Sequence, residues 1–329
     1  MPELPEVETV RASLTPHVMR RTVLRAVAHR RDIVDGPAGA RNLLEGGVIA
    51  EVSRTGKQLG ISVKDGRTIG VHLGMSGQLR FIPAGQRPRK TTHVHAQWAL
   101  SAAAGKRKAR ADPRGDDAPA AVSAADLKPD APSWFDRIIF RDPRRFGGIT
   151  THATRADFAA RRVEPLGPDA LAVTSTHLAH AIAGSRRPIK SALLDQGVLA
   201  GVGNIYADEA LFASRIHPAR LAAGLSREEI TALTLAVKTV LAQAVRAKGS
   251  TLRDYVSATG RAGKATLNHQ VYGRSGEMCL RCGGALETVT IAQRTTVLCP
   301  RCQPRGVVTK VTGKKGVKEI GKKTKKKQR

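Results

Sequence analysis

The residues best equipped for chemistry stand at the start of the chain, in Met1-Pro2-Glu3-Leu4-Pro5-Glu6-Val7-Glu8. Loss of Met1, which a small second residue permits, leaves Pro2 as a free secondary amine. Such an amine can attack an electrophilic carbon and form a cationic iminium. Free α-amino groups titrate near ~8, so much of the nucleophile is neutral at neutral pH. Val7, Val10 and Leu14 fall at helical spacing and predict a helix here. Glu3 sits beside the amine and Glu6 lies three residues on, on the same helical face. A carboxyl so placed can carry a proton for the amine. Acids in a first helical turn also suit the helix dipole, so this stretch alone admits a purely structural reading.

A second group is Cys279-x2-Cys282-x16-Cys299-x2-Cys302. Two CxxC knuckles can present four thiolates tetrahedrally to one zinc ion (Zn2+), and four thiolates leave no open position, so the expected site is structural. A hairpin between the knuckles would project Arg294, which can grip a phosphate with its guanidinium fork. Lys57 follows Gly56 and should project at the start of a strand. Gly201-Val202-Gly203-Asn204 opens a predicted helix running to about Ala213. Its small residues would let backbone amides approach a phosphate, with Asn204 as a further donor. Met75 in His72-Leu73-Gly74-Met75-Ser76-Gly77, and Arg144 and Phe146 in Asp142–Gly147, occupy tight loops. On such loops they are either core filler and an ion pair, or apolar wedges and an Arg that fill the hole left by a flipped base.

The elements that must position these residues are of two kinds. Residues 20–100 read as short β-prone runs, with Asp65-Gly66 as a hairpin signal. Residues 101–133 lack apolar periodicity and are read as a disordered loop inserted into a hairpin. Strand character resumes at Phe135–Arg141. After Pro165-Leu166-Gly167-Pro168 the period becomes helical. The clearest helix begins at Ser226, with Glu229 completing a capping box, and stops near Gly249.

The 329 residues carry a formal net charge of +28. Residues 313–329 hold nine Lys/Arg and one Glu, so this core-less tail, expected to be disordered, accounts for +8 and the body for +20. A basic body points to a polyanion, nucleic acid first. No apolar run approaches the roughly 20 residues of a membrane span. Paired cysteines suit a reducing compartment, and no secretory signal is read, so the expected location is cytoplasmic.

In order, PELPEVET, Lys57, HLGMSG, DPRRFG, GVGNIYA, VYGR and the two cysteine knuckles resemble the bacterial formamidopyrimidine-DNA glycosylases across nearly the whole chain except 101–133 and the tail. The resemblance implies an α+β multidomain fold: an N-terminal β-sandwich with a flanking helix, a helix-two-turn-helix domain and a C-terminal zinc finger. The expected bounds are 1–162, 163–265 and 266–304, with a basic tail over 305–329. It implies a monomer acting on damaged double-stranded DNA as a bifunctional glycosylase and abasic-site lyase for oxidised purines, with one structural zinc and no redox cofactor. Pro2 is the implied Schiff-base nucleophile, Glu3 the general acid and Glu6 a supporting acid. Lys57 is the implied proton donor for β-elimination, and Arg294 is assigned to δ-elimination. Met75, Arg144 and Phe146 are implied to fill the void. His93, Lys190 and Asn204 are implied to contact the DNA backbone.

Three departures from the family pattern stand out: the 101–133 insertion, Ala265 where an aromatic is usual in the loop that covers the damaged base, and Met278 before the first cysteine. An oxidised-pyrimidine enzyme of the endonuclease VIII type is disfavoured by Leu4 and DPRRFG. A non-catalytic zinc-finger DNA binder is disfavoured by the intact Pro2, Glu3 and Lys57.

Overall fold

The computed structural model describes residues 2–39, 41–88, 90–103, 122–123, 127–128, 133–250 and 255–305. Most of the 101–133 stretch and nearly all of the tail therefore lie outside the described residues.

The predicted first helix is present as α1, Leu4–Val18, with Glu3 at its N-cap. Eight β-runs then form two sheets with the strand that follows Phe146. Val23–Ala28 (β1), Val34–Asp35 (β2), Ile49–Thr55 (β3), Gln58–Val63 (β4), Thr68–His72 (β5), Gln78–Ile82 (β6), Val94–Leu100 (β7), Asp136–Arg141 (β8) and Gly148–His152 (β9) follow in chain order. One sheet has the order β1-β7-β8-β6 and the other β2-β9-β5-β4-β3. All pairings are antiparallel except β2 with β9. Val7, Val10 and Leu14 of α1 join a core with Leu59, Ile61, Val71, Trp98 and Phe140 from both sheets. Period-2 alternation gives each sheet one apolar face, and burying the two faces together makes the sandwich.

The 101–133 insertion does fall in a hairpin, between the paired strands β7 and β8. It does not loop out entirely. Leu127 is fully buried, and its carbonyl accepts a 2.6 Å bond from Gln97 Nε2. An apolar side chain with a core-facing backbone partner gains more from packing than from water.

Arg155–Phe158 (α2) packs on β5 and β9 of the sandwich, and the helical half contains Ser175–Ile182 (α3), Ile189–Leu194 (α4), Asn204–Ala213 (α5) and Arg227–Arg246 (α6). Helix α6 starts as its sequence predicts, with Ser226 and Glu229 forming the capping box. Its Ile230, Leu233, Val237 and Leu241 pack with α3–α5 in a second core. Leu4 belongs to this second core and not to the sandwich, and its amide donates to the Gly201 carbonyl at 3.1 Å. The first residues of the chain are thus a strap across the two halves. Arg54 of β3 reinforces the crossing by bridging Glu8 at 2.9 Å and Asp169 at 2.5 Å. The finger is a hairpin of Glu287–Ile291 (β10) and Arg294–Leu298 (β11). A small core of Val271, Leu286 and Val297 under Phe212 of α5 supports it.

Candidate active site

Pro2 and Glu3 are buried where the strap meets α5. Glu3 Oε2 accepts the amide of Gly203 at 2.7 Å, and Oε1 accepts that of Ile205 at 2.9 Å. The first amides of a helix have no partner within it and carry the positive end of its dipole. The GVGN turn therefore holds this carboxylate, and not the phosphate expected from sequence. A charged group on the same chain, delivered by the strap, satisfies the amides first. Burial raises the Glu3 pKa, while Lys57 and these amides oppose the shift.

Glu6 lies one turn deeper. Its Oε2 accepts the amide of Glu3 at 2.8 Å. Its Oε1 accepts the Tyr206 hydroxyl and the Ser250 amide, both at 2.7 Å. Burial, and then the neighbouring Glu3, push its pKa up to about 7.

Lys57 sits in the turn between β3 and β4 and is only 8% exposed, not the solvated lysine that its isolated sequence position suggests. Burial lowers its pKa, opposed by Glu3 and Glu6 and assisted by Arg294. These four side chains form one electrostatic cluster. Gly56 makes it possible: its φ is +54°, and a Cβ there would lie 2.9 Å from Ala200 Cβ and 3.1 Å from the Gly201 amide.

Arg294 projects from the finger hairpin, as expected, and is exposed. The turn before it is made by Ala292 and Gln293, both at positive φ. Lys190 and Asn204 fix its position. Lys190 Nζ reaches Thr296 Oγ1 at 2.7 Å and the Thr295 carbonyl at 3.3 Å. Asn204 Nδ2 donates to the same carbonyl at 3.0 Å.

The expectation that Lys190 touches the DNA backbone is corrected. Its side chain and that of Asp208 are both fully buried, 2.6 Å apart, and a buried ammonium spends its charge on its partner. Asp208 Oδ2 also accepts the Val297 amide of β11, so the pair is an anchor for the finger.

The loop residues form a separate group. Met75 is 42% and Phe146 57% exposed, and the Arg144 guanidinium lies over the Phe146 ring, 5.1 Å from its centroid. Neither is core filler. Nothing in the local sequence pattern marks the residue that holds the two loops together, the fully buried Asp142. Its Oδ1 accepts Ser76 Oγ at 2.5 Å and its Oδ2 the Gly147 amide at 2.7 Å. The Asp142 amide donates to the His93 carbonyl at 3.0 Å, which brings exposed His93, at φ +63°, beside the same loops. Ala265 is buried in the helical core, and Met278 is 68% exposed. Residues 251–254 of the loop before Ala265 lie outside the described residues.

The four cysteines bring their sulfurs within 4.8 Å of one another, with Cys279 to Cys302 at 3.9 Å and Cys282 to Cys299 at 3.5 Å. A tetrahedron of thiolates about 2.3 Å from zinc has edges of about 3.8 Å, so the donor set fits one structural zinc ion. No described helix is long and apolar enough to cross a membrane.

A β-sandwich strapped to a helical half, with Pro2, two carboxyls and a lysine between them and an arginine on a zinc finger nearby, defines a multidomain protein whose first strap joins its two halves. The comparisons agree with that architecture. Residues 1–116 match the formamidopyrimidine-DNA glycosylase N-terminal domain, 166–256 its H2TH domain and 276–305 the zinc finger found in FPG and IleRS. The chain is 38% identical over 309 residues to the formamidopyrimidine-DNA glycosylase of Laribacter hongkongensis, covering 92% of this chain and 100% of that one. It is 39% identical over 318 residues to that of Thermomicrobium roseum, covering 92% and 99%. The crystal structure of MutM (Fpg) from Thermus thermophilus superposes with a TM-score of 0.73 at 35% identity, covering 93% of this chain and 100% of that one. A Lactococcus lactis Fpg mutant in complex with Fapy-dG-containing DNA gives 0.75 at 28% identity, covering 92% and 100%. The chain belongs to the formamidopyrimidine-DNA glycosylase family.

Proposed function

We propose that this chain removes oxidised purines, 8-oxoguanine and formamidopyrimidines, from duplex DNA and then cuts the strand at the abasic site. The observation that carries the reading is the seat of Glu3: a buried acid next to Pro2, held by the first amides of α5 and faced by Lys57. Pro2 nitrogen attacks C1′ of a nucleotide whose base has been flipped out. The damaged base leaves, the sugar ring opens with a proton from Glu3, and an iminium joins Pro2 to C1′. The iminium acidifies the C2′ protons. β-Elimination then breaks the 3′ C–O bond and δ-elimination the 5′ one, releasing two phosphate ends around a one-nucleotide gap.

Lys57 serves the elimination steps, and Arg294 grips the target phosphate. Met75, Arg144 and Phe146 occupy the void from their exposed loops, with Asn204 and His93 on the backbone. The zinc holds the finger, and thereby Arg294, in place. The working units are the sandwich over 1–162, the helical domain over 163–265 and the finger over 266–304. The protein acts as a monomer on the nucleoid in the cytoplasm.

The test is a panel of duplexes carrying 8-oxoguanine, formamidopyrimidines, oxidised pyrimidines and abasic sites. Preferential excision of the purine lesions supports the reading. Preference for the pyrimidines would transfer the chain to the endonuclease VIII type of activity.

A further inference from the structure

Beyond Glu6, a line of hydrogen bonds leads from the active site to a groove between α5 and α6. Tyr206 hydroxyl lies 2.7 Å from Glu6 Oε1, Ser250 Oγ lies 3.1 Å from that hydroxyl, and His269 Nε2 lies 3.0 Å from Ser250 Oγ. His269 is half-buried and lines an open groove between α5 and α6 with Phe212, Leu235, Val240 and Leu267.

The line can be counted. Its three links need three protons, and the two hydroxyls supply two. The third must sit on Glu6 or on His269 Nε2. Each Glu6 oxygen accepts one backbone amide, Oε2 that of Glu3 and Oε1 that of Ser250, and only Oε1 also meets a hydroxyl, so a proton shared with the line sits on Oε1, facing Tyr206. With the proton on Glu6, every donor points toward His269. With it on Nε2, every donor points toward Glu6.

We propose that Glu6, Tyr206, Ser250 and His269 form a proton wire between the active-site carboxyl and the α5–α6 groove, by which Glu6 exchanges its proton with water while DNA is bound. In one passage Nε2 gives its proton to Ser250 Oγ, Ser250 gives its own to Tyr206, and Tyr206 gives its own to Oε1. The passage starts from a ring that groove water has protonated on Nδ1, so release from Nε2 leaves His269 neutral, and the return passage reverses each transfer.

Burial and Glu3 push Glu6 up to about 7, while burial lowers His269, opposed by Glu209. Glu6 is faced by Glu3, Lys57 and Tyr206, and Tyr255 hydroxyl donates to its carbonyl. His269 is faced by Glu209 and, edge-on, by Tyr272. Arg246 of α6 and Arg281 of the finger line the same groove. The Glu209 carboxylate accepts the amides of Gln270, Val271 and Tyr272, which fixes the backbone that carries His269.

The kinetic arm rests on the glycosylase reading; a second arm does not. Single-turnover excision is followed from pH 5.5 to 9 for wild type, His269→Ala, His269→Gln and Ser250→Ala, with and without imidazole. Each variant is checked for zinc content and for affinity toward duplex carrying a tetrahydrofuran abasic analogue. The wire predicts excision slowed about tenfold in all three, with near-wild-type affinity and a displaced pH profile. Imidazole should restore His269→Ala, where it can enter from the groove, and leave Ser250→Ala slow, because that break lies inside the wire. Unchanged profiles, or a slow His269→Ala that ignores imidazole, would overturn it. Independently, 15N shifts of the His269 ring should carry a titration step near pH 7 that disappears in Glu6→Gln. An identical titration in both proteins overturns the wire even if no duplex in the assay is cut, whereas a wild-type protein that shows the step yet excises nothing counts against the glycosylase reading alone.

Discussion

Glu3 Oε2 and the amide of Gly203 lie 2.7 Å apart across 200 residues of sequence. This contact joins the strap to the helical half and seats the acid on the first turn of α5. A Cβ at Gly203 would lie 2.4 Å from Glu3 Cδ, so Gly203→Ala must push the carboxyl away. Misplacing a reacting group by about 1 Å can cost ~10²-fold. Single-turnover excision by Gly203→Ala should fall by about that factor, with affinity for an abasic-analogue duplex within a few-fold of wild type. A loss confined to affinity would place Glu3 outside the chemistry.

Lys190→Met should destabilise the protein by about 3–5 kcal/mol, because it strands the buried Asp208. Burial pushes Asp208 up to about 6 even with Lys190 opposing it; without Lys190 it rises further, so at low pH the lone acid is neutral and the penalty shrinks. Urea midpoints of wild type and variant at pH 5 and pH 8 check this. Equal penalties at the two pH values would show that Asp208 does not titrate with its partner gone.

What could be read in the sequence was local. The α6 capping box, the strand runs, the strap helix and the cysteine spacing depend on residues a few positions apart, and each stands where its pattern put it. What could not be read depends on partners far along the chain. Ser250 meets Glu6 at a separation of 244 residues, and Ser76 meets Asp142 at 66. Lys190 carries no sign in its own neighbourhood that it will be buried against Asp208. The GVGN turn was legible as a helix N-terminus in need of an anion, but which anion was decided by the strap.

Glu6 should make stability fall with rising pH. Its native pKa is about 7 against an ordinary 4.5, so between those values the native state holds more protons than the unfolded one, and ΔG of unfolding declines as pH rises through that window. Relative to Glu6→Gln, wild type should lose stability from pH 4.5 to about 7 and then level off. Paired denaturant titrations across that range read the difference. A difference that is constant or grows with pH would contradict the buried, proton-holding state of Glu6.

Cys299→Ser should remove the metal and the finger's order together, since a module with so small a core relies on zinc for its folding free energy. Arg294 then loses its fixed position. Metal analysis and affinity for lesion duplex should fall together, while borohydride trapping at saturating protein persists, because the strap and Lys57 lie outside the finger. Normal affinity in a protein shown to lack zinc would remove the finger from the DNA site.

The central claim is that Pro2 nitrogen is the nucleophile. Borohydride reduction during turnover on an 8-oxoguanine duplex, followed by peptide mass spectrometry of the covalent product, tests it directly. The account predicts one adduct, a reduced sugar remnant on Pro2 of a peptide that has lost Met1. An adduct on Lys57 or another lysine, or full trapping by protein that retains Met1, would contradict it.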